Sequence, residues 1–68
     1  MPTERQKRIL RALYKARRPL STNKVAEKAE VSWNTADDDL KELVKQGRVS
    51  MARKGEKGTK KVWYLKSD

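Results

Sequence analysis

Two groups of residues in this 68-residue sequence have side chains and spacing suited to chemistry. The first is a run of cations, Arg53, Lys54, Lys57, Lys60 and Lys61, set around Gly55 and Gly58. Cations at this density suit phosphate neutralisation, in which each contact releases counterions from a polyanion. The second is Ser32, Asn34, Thr35, Asp38, Lys41 and Lys45, in a stretch with helical patterning. Asn can bond an adenine edge through two hydrogen bonds, and Asp can accept from a cytosine amino group. Ser or Thr at a helix N-terminus can hold a phosphate, because the free N–H groups there favour an anion.

What is missing narrows the chemistry further. The chain has no cysteine and no histidine. Disulfides, zinc ligation by Cys or His, and Cys or His nucleophiles are therefore excluded. Gly55-x-x-Gly58 reads as a turn, not as a loop that cradles phosphate. No catalytic constellation is present, so no enzyme, cofactor or metal is expected.

These residues need a scaffold, and the composition allows a single domain over residues 1–68. A hydrophobic fraction of 35% and a mean hydropathy of −1.06 approach the disordered range. The apolar residues nonetheless recur at helical and strand spacing, which predicts a small folded domain. The net charge is +9 and the pI about 10.2, which suits a polyanionic partner. That charge is unevenly placed: residues 3–18 carry +6, residues 19–47 carry −2 and residues 48–66 carry +6. No apolar run approaches the roughly 20 residues that span a bilayer. Met1-Pro2-Thr3 leads straight into charged residues, without a signal-peptide pattern. No membrane partner and a cytoplasmic location are expected.

The first helix is predicted over about 4–17, with Thr3 as cap and Gln6 at capping-box spacing. Ile9, Leu10, Leu13 and Tyr14 give its apolar face, and Pro19 ends it. Leu20 begins a strand of one or two residues. A second helix over about 22–29 starts after Ser21 or Thr22 and buries Val25, Ala26 and Ala29. Glu30-Val31 makes a turn. Ser32 caps a third helix over about 33–46, which Gly47 stops. Alternation and turn residues predict a hairpin over about 48–66. Val49, Met51, Trp63 and Leu65 are expected to face the core, and Tyr64 the outside.

On a wheel of the third helix, Ala36, Leu40, Leu43 and Val44 define the inward direction. Asn34, Asp38, Lys41, Glu42 and Lys45 then point outward, with Thr35 beside them. Asp37 and Asp39 fall on the flanks. Asp37 can pair with Lys41 at i, i+4, and Asp38 with Lys41 at i+3. The run Asp37-Asp38-Asp39 reads either as a solvated, helix-stabilising cluster or, at Asp38, as a base contact. Ser32 is a plain cap or a phosphate ligand. Trp33 falls on the core side and is expected to pack against the first helix or the hairpin.

Leu20-Ser21 with Val25-Ala26, Val31-Ser32-Trp33-Asn34-Thr35-Ala36, Leu40, Leu43-Val44 and Gly47-Arg48-Val49 resembles the winged helix-turn-helix regulators. The Ser-Trp-x-Thr entry to the third helix is similar to small regulators of archaea and their viruses. The resemblance implies an α+β fold: three helices, a short strand and a C-terminal β-hairpin wing. It implies a double-stranded DNA partner and a role in transcription, in the cytoplasm or on the nucleoid, or in a host cytoplasm for a viral protein. In that family the third helix lies in the major groove and the wing on the backbone or minor groove. Asn34, Thr35, Asp38 and Lys41 then become the base contacts. Ser32, Lys45 and the wing cations Arg53, Lys54, Lys57, Lys60 and Lys61 become the phosphate contacts. The chain departs from the family at Asp37 and Asp38, where Arg, Gln, Ser or Lys is usual. Nothing beyond the third helix and the wing supplies a dimerisation helix, so a monomer, or a dimer formed weakly or on DNA, is expected. The stripe Arg8, Arg11 and Lys15 usually points away from the duplex in this architecture. It reads as a second nucleic-acid contact, a bridge to another duplex, or a solubilising face. Two other classes remain open: a structural, ribosomal-type RNA-binding winged helix, and a protein-interaction winged helix.

Overall fold

The computed structural model describes residues 2–55, 58 and 60–66. Lys57, one of the expected wing cations, lies outside the described residues. The elements run α1 (Glu4–Ala16), β1 (Leu20–Ser21), α2 (Thr22–Ala29), α3 (Trp33–Lys45), β2 (Val49–Lys54) and β3 (Lys60–Leu65). This is the α+β winged-helix architecture that the sequence predicts.

Each helix begins where a side chain satisfies a free N–H group. Thr3 accepts from the Gln6 N–H at 3.1 Å, and the Gln6 side chain accepts from the Thr3 N–H at 3.1 Å. This reciprocal pair is a capping box. Ser21, rather than Thr22, caps α2 by accepting from the Lys24 N–H at 3.2 Å. Ser32 caps α3 in the same way, accepting from the Thr35 N–H at 3.2 Å. The helices end on left-handed or glycine positions. Arg17 (φ 54°) and Glu30 (φ 59°) terminate α1 and α2. Gly47 (φ +76°) follows α3, and the Arg48 N–H returns to the Leu43 carbonyl at 3.0 Å.

The sheet is antiparallel in the order β1-β3-β2. Leu20 pairs with Trp63, and Val49, Met51 and Arg53 pair with Leu65, Trp63 and Lys61. The alternation of strands puts these last six side chains on one face and Ser50, Ala52 and Lys54 with Tyr64, Val62 and Lys60 on the other. The core lies between this sheet and the helices. It contains Ile9 and Leu13 of α1, Val25 and Ala26 of α2, Ala36, Leu40 and Leu43 of α3, and Leu20, Val49 and Trp63 of the strands. Trp63 anchors it: 2% exposed, it donates from its indole N–H to the hydroxyl of buried Thr22 at 2.8 Å. Packing and hydrogen bonding therefore both fix β3 against the start of α2.

Three residues expected on inward faces are not in the core. Tyr14 is 66% exposed, because five residues after Ile9 it has turned well past the α1 face that Ile9 and Leu13 bury. Met51 shares the Trp63 face but is exposed, because strand parity sets only a direction, and Met51 opens into a cleft beside Lys41, Val44 and Lys45 of α3. Val44, at the edge of the α3 stripe, is exposed as well.

Candidate nucleic-acid interface

The acidic run on α3 separates into three environments. Asp39 is buried and forms a two-pronged ion pair with Arg5 of α1, Nε to Oδ2 at 2.5 Å and Nη2 to Oδ1 at 3.0 Å. The Gln6 amide also donates to Asp39 at 3.4 Å, and Gln46 donates to Gln6 at 3.4 Å. These bonds tie the first turn of α1 to α3. Asp37 is buried on the opposite flank, and its Oδ2 accepts from the Lys41 ammonium at 2.9 Å. Asp38 alone is exposed. Two of the three negative charges are thus neutralised within the fold before any ligand arrives.

The pairs also hold their cations charged. The hydrogen bond to Asp39, then its charge, raises the Arg5 guanidinium pKa above its ordinary value. The hydrogen bond to Asp37, then its charge, does the same for the Lys41 ammonium. Asp38 adds a smaller effect in the same direction on each.

Of the residues expected to meet bases, Asn34, Asp38 and Lys41 are exposed on α3, with Lys41 engaged by Asp37. Thr35 is half-buried, and its Oγ1 accepts from the Ser32 hydroxyl at 2.9 Å. Ser32 is therefore a cap whose hydroxyl proton is also committed. Lys45, Arg53, Lys54 and Lys60 are exposed, and Lys61 is half-buried.

Of these side chains, Lys41, Lys45, Arg53, Lys54, Lys60 and Lys61 line two clefts, whereas Ser32, Asn34, Thr35 and Asp38 line neither. One lies between α3 and the wing, lined by Lys41, Val44, Lys45, Met51, Arg53, Lys61 and Trp63. The other lies between the start of α2, the start of α3 and the wing, lined by Ser21, Thr22, Asn23, Trp33, Lys54, Lys60, Lys61 and Val62. Lys61 borders both. The arrangement offers cations for phosphates, Val44 and Met51 for apolar contacts such as thymine methyls, and polar α3 side chains for base edges.

Trp33 corrects the expectation of a packed side chain: it is 48% exposed and lies beside three lysines. The wheel gives its direction correctly, but Trp33 is the first residue of α3 and overhangs the core that Ala36 and Leu40 fill. The Arg5–Asp39 pair was not legible either, because its partners are 34 residues apart. The wing cations are paired across the hairpin, Arg53 opposite Lys61 and Lys54 opposite Lys60. Like charges directly opposite one another in a sheet destabilise it.

Among the described residues, no cluster of acidic side chains suited to a metal is present, and no helix is long and apolar enough to cross a membrane. No curated protein matches the sequence. Solved structures do match the fold. The PcaV transcriptional regulator of Streptomyces coelicolor, solved with its natural ligand, is 23% identical with a TM-score of 0.84, over 96% of this chain and 45% of that one. A mutant of Lactococcus lactis ZitR is 27% identical with a TM-score of 0.84, over 98% of this chain and 44% of that one. A different ZitR mutant, solved in complex with DNA, has a TM-score of 0.80. The chain spans less than half the length of these proteins. Within the sequence itself the match is broader: residues 3–67 fit the model of DUF7342, a family of unknown function, and the chain belongs to that family.

Proposed function

We propose that this chain binds double-stranded DNA and regulates transcription without catalysing a reaction. In this reading α3 enters the major groove, and Asn34, Thr35, Asp38 and Lys41 meet base edges. Ser32, Lys45, Arg53, Lys54, Lys57, Lys60 and Lys61 hold phosphates on either side, with the wing along the backbone or in the minor groove. Trp33 joins them as an aromatic contact beside Lys54 and Lys60.

The observation that carries this reading is the cross-strand pairing of like charges in the wing. Arg53 faces Lys61 and Lys54 faces Lys60 in the ladder. A hairpin serving only the fold gains nothing from two opposed cation pairs, each of which destabilises the sheet. Phosphates seated against each pair, Arg53 and Lys61 on one face of the hairpin and Lys54 and Lys60 on the other, turn that repulsion into attraction. The ion pairing of Asp37 and Asp39 within the fold supports the same reading, since it leaves Asp38 as the one exposed carboxylate of the run. The DNA-bound ZitR mutant gives a precedent among structures of similar fold.

Selection of duplexes from a random DNA pool tests the proposal. The expected result is retention of duplex DNA with an enriched motif, resistant to competition by an RNA duplex. Failure to retain any duplex would contradict it.

A further inference from the structure

The cations of α1 have no part in the interface above. Arg8, Arg11 and Lys15 lie on the side of α1 away from Ile9 and Leu13, and Lys28 joins them from α2. All four line one groove between the two helices. Short side chains, Ala12, Ala16 and Ala29, line the rest of it, so an extended backbone can approach closely. Among the described residues, Glu30 is the single carboxylate at its edge.

This groove differs from a merely solvated charged face in two ways. First, its cations converge on a concavity and are not neutralised. Lys7 pairs with Glu4 and Arg5 with Asp39, whereas Arg11, Lys15 and Lys28 make no ion pair among the described residues. Second, one guanidinium is held in place. Arg8 donates from Nη2 to the Ala29 carbonyl at 2.6 Å, at the C-terminal end of α2, where the helix dipole favours a cation. An arginine has five N–H donors, so this anchor leaves others for a phosphate.

Among the described residues, the groove shares no lining residue with either cleft beside the wing. On each of α1 and α3 the exposed cations lie off the face that the helix buries in the core. The charge layout agrees: two segments of +6 flank one of −2. We infer that the α1–α2 groove is a second site for nucleic-acid backbone, through which one chain bridges two duplex segments. This rests on the duplex-binding reading above, which supplies the first site. Recognition in the groove is by phosphate charge alone and carries no sequence preference.

A bead-capture experiment tests it. One duplex bearing the selected site is fixed to beads, the full chain is added, and a second, fluorescent duplex of unrelated sequence is captured from solution. Affinity for a single dilute duplex is measured in parallel. The parent chain is expected to capture the second duplex. Arg11→Ala/Lys15→Ala/Lys28→Ala should reduce capture roughly tenfold while changing single-duplex affinity by less than about twofold. Arg8 is left intact because it also joins α1 to α2. Lys54→Ala/Lys60→Ala should weaken both readouts. Capture that survives the triple substitution would overturn the inference, as would a parent that binds one duplex and captures none. Equal losses in both readouts would place the stripe in the first interface and overturn it too. A parent that binds no single duplex would contradict the reading beneath the inference, and the inference with it.

Discussion

Adjacent carboxylates on α3 make separable predictions. Asp39→Ala removes the acceptor of Arg5 and of the buried Gln6 amide. Stranding that amide should cost about 1–3 kcal/mol in urea unfolding. Asp38→Ala should leave stability within about 0.5 kcal/mol, as an exposed substitution does. On DNA the order reverses. Asp38→Asn should weaken the preferred site, as expected of a cytosine contact, and uniform tightening on all duplexes would make Asp38 a source of repulsion only. Asn34→Ala should cost about 1–3 kcal/mol on the preferred site and little on random DNA. The Lys41–Asp37 pair makes a pH prediction. Because folding raises the Lys41 pKa, the pair's contribution is present in full below the ordinary value, near 10.5, and is lost as the pH rises through the folded one. The stability gap between the parent and Lys41→Met should thus be constant at neutral pH and close in strong alkali.

The elements were mostly legible in the sequence, for reasons visible at their ends. Thr3, Ser21 and Ser32 cap, Gly47 stops α3, and β-formers with turn glycines mark the hairpin. These are local signals that need no knowledge of neighbours. Trp33, Tyr14, Val44 and Met51 are exposed against expectation because burial depends on which element lies opposite, and periodicity does not contain that. The flanks of the Asp run were placed correctly, yet the partner of Asp39 depends on how α1 crosses α3. At this scale the wing makes a prediction of opposite signs. Lys60→Glu replaces repulsion with Lys54 by attraction and should stabilise the hairpin by a few tenths of a kcal/mol. The same change should weaken duplex binding. A stabilised variant with undiminished affinity would remove the wing from the interface. Trp33 can be followed directly, since Trp63 is buried and hydrogen-bonded. A change in indole emission on adding duplex should vanish in Trp33→Phe.

For the whole molecule, size sets the margin and charge sets the behaviour. At roughly 0.05–0.15 kcal/mol per residue, a domain this short has about 3–10 kcal/mol of stability. Trp63→Ala, at about 3–5 kcal/mol, should therefore remove a large part of that margin, whereas surface variants of the wing should fold normally. That separation makes the electrostatic test clean. The central claim is that wing cations neutralise duplex phosphates, and the salt dependence of binding measures this most directly. The slope of log K against log salt is about −0.9 per phosphate neutralised. The intact chain should show a steep slope, and Lys54→Ala/Lys60→Ala, with both side chains exposed, should reduce it by roughly one to two units without loss of folding. A doubly substituted chain that keeps the full slope would contradict the account.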